Sequence, residues 1–345
     1  MKYVGLDIGK RWIYVCILKN GGGVVKEFRV RNDGVELIDR LRRFRGPLSI
    51  CFEASCGYGY HHDQLAPIAK SIQIAHPGHL RLIFKSKRKN DRVDARKLAT
   101  LLLLNEVPAV HVPDLDVRAW RSLIEFRDRL VTKRTRVKNG LRAICRSNGI
   151  AVSSGKRLWS KKGIRELSQL ALPHHVAALE RDLLLDELEQ LSRQIGRIEC
   201  ELDERGRQHL GVQLLQTIPG VGPRTAEAFV AYVDRPQRFA RVKQVGAYFG
   251  LVPCQDQSGA KNRLGHITRD GPSTMRRLLT QSAWQAVRRS PRVTAYYERI
   301  RRGDPERRKI ALVATSHYLV RVMHAMLRRG EVWNEAGGPR DTRAA

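Results

Sequence analysis

Residues 3–30 read YVGLDIGKRWIYVCILKNGGGVVKEFRV, and the fold of the N-terminal region turns on them. β-branched and aromatic residues crowd three short runs, YVGLDIG, RWIYVCILKN and VVKEFRV, and the GGG between the last two supplies the backbone freedom of a hairpin turn. A sheet therefore opens the protein. Further on, NDGVELIDRLRRF has an Asn/Asp start and apolar residues at helical spacing, PLSICFEA reads as a buried strand, YHHDQLAPIAK as a short helix and SIQIAHP as another strand. Strands first, then alternating helix and strand, predict a mixed α/β domain over residues 1–108, closed by a helix that opens at Asp91.

From Asp114 the pattern becomes helical. Trp120, Leu123, Ile124, Leu130, Val137, Leu141 and Ile144 form one apolar stripe with Arg and Lys over the rest of the surface, until the loop residues SSGKRLWSKKG interrupt it. Leu184, Leu188, Leu191, Ile195, Ile198 and Leu202 then step by 4, 3, 4, 3, 4, a heptad seam. Such a seam serves equally a coiled coil between chains or a helix packed inside its own subunit. A helical, coiled-coil linker over 109–206 is expected, followed by a mainly α C-terminal domain over 207–330 and a frayed tail over 331–345. Within the C-terminal domain, LLQTIPGVGPRTAEAFVAYV has the helix, glycine turn and helix of a helix-hairpin-helix-like unit, in which Gly220, Gly222 and Arg224 would meet a nucleic-acid phosphate. A polar, glycine-bearing loop, CQDQSGAKNRLGHITRDGP, follows FARVKQVGAYFGLVP.

Charge narrows the function. Sixty-four Lys and Arg face 34 Asp and Glu, a formal charge of +30 over 345 residues. The basic residues recur along most of the chain, so a polyanion is expected to be surrounded rather than touched by one tail. Nucleic acid fits this better than a membrane surface: no apolar run of spanning length and no signal-peptide core are evident, and a cytoplasmic location is expected. The six cysteines lack CxxC spacing and are expected to be reduced; His61, His62, His76 and His79 lack a paired Cys motif, so they are read as surface or loop residues rather than zinc ligands.

Against this basic background, KNDRVDARKLA (89–99) places Asp91 and Asp94 three apart on one helical face. Asp7 lies in the first strand and Glu53 at the end of the fourth. Four carboxylates that converge would raise one another's pKa unless a cation neutralised them, and hard oxygen ligands favour Mg²⁺ or Mn²⁺, which in pairs can clamp a phosphodiester. Taken singly, each acid also has an ordinary structural use as a strand end, a helix cap or a partner of Arg96 or Lys97.

GLDIGK, CFEASCGYG, KNDRVDARKLA, IPGVGPRTA and FGLVP followed by QSGAKNRLGHITRDGPSTMRRLL occur in an order and spacing that closely resemble the DEDD transposases of bacterial insertion sequences, the IS-one-ten family. The resemblance implies a RuvC-like, ribonuclease-H-like N-terminal domain, a helical coiled-coil region and a second transposase domain. It implies a recombinase that moves its element between donor and target DNA, guided by a non-coding bridge RNA and working as a dimer, or as a tetramer in the synapse. On that resemblance Asp7, Glu53, Asp91 and Asp94 fall on the metal-binding carboxylates, and Ser258 on the serine that becomes transiently linked to DNA. Gly259 would allow close approach of a phosphate, and Lys261 and Arg263 would stabilise its growing charge.

The rival with the same core is a metal-dependent, structure-specific RuvC-like endonuclease with no covalent intermediate, which leaves the C-terminal domain without a task. A sugar kinase or actin-like ATPase shares GLDIGK but needs a second phosphate turn and an adenosine-binding glycine motif that the sequence lacks. A non-catalytic nucleic-acid scaffold would be indifferent to loss of Asp94.

Overall fold

The computed structural model describes residues 1–83, 90–153, 155–258 and 261–336. It divides into two compact units, Met1–Arg118 and Ala119–Ala345.

The first unit is built on β1 (Lys2–Ile8), β2 (Trp12–Lys19) and β3 (Val24–Arg31), then α1 (Glu36–Arg42), β4 (Leu48–Glu53), α2 (Tyr58–Leu65), β5 (Ser71–Ala75), α3 (Pro77–Ile83) and α4 (Asp91–Leu103). One sheet has the order β3-β2-β1-β4-β5. The first two pairings are antiparallel, as the hairpin signals require, whereas β1, β4 and β5 run parallel. Strand alternation divides the side chains between two faces. Val4, Leu6, Ile13, Val15, Ile50 and Phe52 fill one core with Leu37 and Leu41 of α1 and Leu65 of α2. On the other face Cys51 and Ala75 pack against Leu98, Leu101 and Leu102, and Cys16 and Leu18 against Ala95 and Ala99, all beneath α4. α3 is a helical turn that follows the AHP segment, beyond what the strand pattern there suggested.

The second unit begins at Ala119, one turn into α5 (Leu115–Ser147). Its other elements are α6 (Lys161–Ser168), α7 (His175–Gln208), α8 (Leu210–Gln216), α9 (Pro223–Val233), α10 (Val242–Tyr248), β6 (Pro253–Ser258), β7 (Lys261–Ile267), α11 (Ser273–Arg289), α12 (Pro291–Arg301) and α13 (Arg308–Arg329). The heptad seam of α7 is covered from within the chain: Leu188, Leu191 and Ile195 are buried with Leu130, Val137 and Leu141 of α5. An apolar stripe on each of two long helices finds its partner in the other, while Leu184 and Ile198 of the seam stay partly exposed.

The main core of this unit gathers Phe229, Phe249, Met275, Leu279, Leu319, Val320 and Met323. Among the described residues one helical stretch, Pro305–Arg329, is long and apolar enough to cross a membrane by composition, contrary to the expectation that no such run exists. Half of that stretch is buried, and Leu319, Val320 and Met323 are fully enclosed, so its apolarity is that of a central core helix.

Two further expectations change. SSGKRLWSKKG is not all loop: Ser160 caps α6 by accepting from the Gly163 amide. The polar segment after FGLVP is a two-stranded antiparallel ribbon, β6 paired with β7 and exposed along β6 on both faces. Alternating polar side chains gave no apolar period to mark these strands.

Candidate active site

In the first unit the decisive residue is Gly5. A side chain there would strike the Ala95 carbonyl and the Ala99 amide, so the bare Cα lets α4 lie directly on β1. Tyr3, two residues earlier, packs beside Leu98, Leu101, Leu102 and Leu103 near the far end of α4. Asp7, two residues later and on the same face by alternation, therefore lies toward the first turn of α4, where Asp91 and Asp94 sit. Gly5 is in register with Cys51 and Leu6 with Phe52, so the next pair along is Asp7 with Glu53. Both acids lie at the carboxyl ends of parallel strands on the α4 face, Asp7 one residue before the end of β1 and Glu53 the last residue of β4. The carboxyl ends of parallel strands are where open α/β sheets place their ligands.

Helix geometry sorts the residues of α4. Ala95 and Ala99 lie over β1, with Asp91 heading the stripe four residues before Ala95, while Asp94 precedes Leu98, which packs toward Cys51 of β4. On the opposite flank, Arg92 and Arg96 clasp Glu27 of β3, with Nε–Oε distances of 2.6 and 2.8 Å. Glu27 has a side chain only 8% exposed. Burial pushes its pKa up, but the hydrogen bonds and charges of Arg92 and Arg96 outweigh this and hold it below the ordinary carboxylate range. Asn90 caps the helix by accepting from the Arg92 amide, leaving Asp91 uncommitted to capping.

All four acids are partly exposed. Asp94 accepts from Lys97 Nζ at 2.9 Å. Among the described residues no three His, Cys, Asp or Glu side chains are drawn closely enough together to hold a metal ion. The sheet and α4 thus bring Asp7, Glu53, Asp91 and Asp94 to one end and one face without closing them into a cluster. Their chemistry, hard carboxylate oxygens beside a movable ammonium, suits a divalent cation. His61 is buried in α2 against Phe52 and Tyr60 rather than on the surface, and burial lowers its pKa. All six cysteines are free thiols.

In the second unit Ser258 is the last residue of β6, exposed and paired in register with Lys261, while Asp256 opposes Arg263. The hairpin tip, including Gly259, and the side chain of Lys261 lie outside the described residues. The glycine turn between α8 and α9 is spent differently from the expectation. Gly220, at φ +94°, packs its Cα against the backbone of Gln285 and Ala286 in α11. Gly222 is the N-cap of α9 and has open space around it. Arg224 turns inward to Asp203 of α7 and to Glu227, whose carboxylate is 3.3 Å away.

Glu227 was not singled out by sequence. It is 1% exposed, with no hydrogen-bond partner on either oxygen, and burial raises its pKa to about 7 against the pull of Arg224 and Arg127. A lone acid inside the apolar run TAEAFVAYV was the available signal.

Residues 4–147 match the family of DEDD transposases of the IS110 type. Residues 212–298 match the Transposase IS116/IS110/IS902 family. The chain belongs to the IS110-type transposases. The transposase is 27% identical over 340 residues to the transposase for insertion sequence element IS1111A of Coxiella burnetii, covering 96% of this chain and 91% of that one. It is 26% identical to a probable family 20 transposase of Pseudomonas aeruginosa over 331 residues, 94% of this chain and 96% of the relative. With the transposase for IS1328 of Yersinia enterocolitica it shares 28% over 285 residues, 81% and 82% of the two chains. As a transposase of an insertion sequence it is an enzyme of DNA cleavage and strand transfer, and DNA is its substrate.

Proposed function

We propose that this transposase cuts and rejoins DNA through a serine-phosphate intermediate, with a divalent metal, Mg²⁺ or Mn²⁺, held by Asp7, Glu53, Asp91 and Asp94. The observation that carries the reading is the shared end and face of those acids: adjacent parallel strands supply two, and the first turn of the helix seated on Gly5 supplies the others. The strand order β3-β2-β1-β4-β5 supports a RuvC-like core for the first unit.

When bound there, the metal would neutralise charge on the phosphodiester and favour attack by an oxygen nucleophile. Lys97 holds Asp94 at 2.9 Å without it and would release the carboxylate to it. Asp91 is free of the capping duty that Asn90 performs. Ser258, exposed at the end of β6 beside the Asp256–Arg263 pair, suits a nucleophile that DNA must reach. Its Oγ forms the bond to phosphorus as the bond from phosphorus to the departing DNA oxygen breaks, and rejoining reverses the exchange. Arg263 supplies positive charge to the DNA backbone beside it, and so would Lys261 and the open turn at Gly222.

The net charge of +30 supports a second polyanion, a bridge RNA that pairs with donor and target DNA. Strand exchange then implies at least a dimer, and a tetramer when two DNA sites are held together. The place of action on this reading is the cytoplasm.

The test uses cells that express the protein with its element's flanking non-coding DNA and a donor plasmid. Protein is trapped on DNA with denaturant and compared with Ser258→Ala and Asp94→Ala. Adducts in wild type that vanish in both variants are expected. Recombination that survives Ser258→Ala would remove the covalent step and favour the RuvC-like nuclease acting through water or a 3′-hydroxyl.

A further inference from the structure

The ribbon that bears Ser258 has a second face, and its chemistry differs from that of the first. Register places Ser258, Asp256 and Arg263 on one side, and Gln255, Gln257, Asn262 and Leu264 on the other. On that second side the amides are linked: Gln255 Nε2 donates to Gln257 Oε1 at 3.2 Å and to Asn262 Oδ1 at 3.0 Å. This uses the nitrogen of one amide and one oxygen of each of the others. Each amide carries two donors and an acceptor, so the ladder presents outward both donors and an acceptor in a fixed row. Leu264, opposite Gln255, adds an apolar side chain that is 68% exposed.

A two-stranded ribbon with neither face buried is marginal in water by itself. Its polar, prearranged face is suited to an occupant with complementary edges. The major groove of B-form DNA admits such a ribbon; there adenine offers N7 as acceptor and N6 as donor to a Gln or Asn amide, and thymine offers a methyl group to an apolar side chain. Three amides and an exposed Leu in one row match A·T pairs better than G·C pairs, which are read chiefly by Arg or Lys. The strongly positive chain supplies the backbone attraction that brings a duplex close. RNA duplexes and RNA–DNA hybrids present a deep, narrow major groove that side chains do not read.

We infer that the Gln255–Gln257–Asn262–Leu264 face of the β6–β7 ribbon enters the major groove of duplex DNA and selects A·T pairs beside the site of strand exchange. The inference rests on the proposed function for its DNA geometry, since Ser258 on the opposite face would then address the backbone while the amides address bases. It adds to RNA guidance a protein-read element of a few base pairs.

The experiment is selection of duplexes from a randomised 20-base-pair DNA library by the full-length protein, repeated with Gln255→Ala/Asn262→Ala, Arg263→Ala and Ser258→Ala. Wild type is expected to enrich A·T at two or three neighbouring positions, with a preference of about ten-fold per contacted pair. The amide double variant should lose that enrichment while affinity for duplexes without the enriched pairs falls by no more than about three-fold, because its phosphate contacts remain. Arg263→Ala should lower affinity for all sequences alike. Because both amide positions are exposed, unchanged circular dichroism and melting are expected and serve as the folding control. Replacing adenine by 7-deazaadenine at the enriched positions should weaken wild type and leave the double variant indifferent.

A flat wild-type profile, enrichment that survives the double substitution, or tighter selection of RNA duplexes of the same sequences would each overturn the inference. Ser258→Ala separates the two readings: it should keep the enrichment while losing covalent adducts. Adducts that persist in Ser258→Ala sink the serine assignment and leave the amide face standing.

Discussion

Asp7 and Glu53 lie at the carboxyl ends of two strands whose inward neighbours are fully buried, beneath a helix clasped by Glu27 and seated on Gly5; Ser258 ends a strand exposed from Pro253 onward. The first arrangement fixes the direction of carboxylates through rigid elements, as a site that must hold ions at set distances requires. The second holds its residues away from any core, as a group that must reach into DNA requires. On the proposed function, catalytic positioning and substrate access fall to different architectures, and substitutions should act on them differently.

The largest contrast is expected from Asp94→Asn. It removes a charge from a partly exposed side chain whose visible partner is Lys97, so the melting temperature should hardly move. Strand cleavage of a donor plasmid should nevertheless fall by about 10³-fold or more if the carboxylate belongs to a metal site. Wild-type cleavage by the variant would reduce Asp94 to a surface ion pair and dissolve the comparison at its first term.

Gly5→Val probes the scaffold itself. The new side chain would meet backbone atoms of Ala95 and Ala99, which cannot turn aside as a side chain can, so a loss of about 3 kcal/mol is expected in urea unfolding. A variant as stable as wild type would mean that α4 does not depend on close contact with β1. A cleavage defect larger than the unfolded fraction explains would show that α4 had shifted its acids.

How far these features were legible depends on how local their signals are. The strands of residues 2–31, the helix at Asp91 and the stripe from Trp120 to Ile144 follow from period and turn chemistry, and the structure places them accordingly. The acids could be paired on α4 by spacing, but their nearness to Asp7 depends on Gly5 and on strand register, which are tertiary facts. The ribbon escaped because a strand with both faces polar has no apolar alternation. Arg224 looked like a phosphate ligand because basic residues near a glycine turn often are; only the fold reveals Asp203 and Glu227 waiting for it.

Glu227 sharpens the contrast from the side of stability. Its pKa is about 7 in the folded protein and near 4.5 when unfolded, so the folded state holds a proton that the unfolded state has lost. Stability should therefore be greatest below about pH 4.5 for this group's part, and decline as pH rises toward 7, by about 1 to 3 kcal/mol. Glu227→Gln should flatten that decline and raise the melting temperature at pH 8 by a few degrees. An unchanged pH profile would mean that Arg224 keeps the carboxylate charged throughout. No substitution on the ribbon should bring a comparable pH dependence through burial.

The smallest effect is expected from Leu264→Ala, and its smallness is the point. A Leu that is 68% exposed gives up little buried surface on truncation, so unfolding free energy should change by no more than about 0.5 kcal/mol. The same truncation in a packed core costs about 2 to 5 kcal/mol, and Leu98 on the inner face of α4 is such a residue. Measuring Leu264→Ala beside Leu98→Ala in one urea series compares an apolar side chain held for the protein's own core with one held outward. A cost for Leu264→Ala above about 1.5 kcal/mol would show that the ribbon is packed in solution, and a side chain already covered in the free protein is not available to a thymine methyl group. A negligible cost, joined to weaker selection of A·T duplexes, would mean that the ribbon's exposed leucine is kept for its substrate.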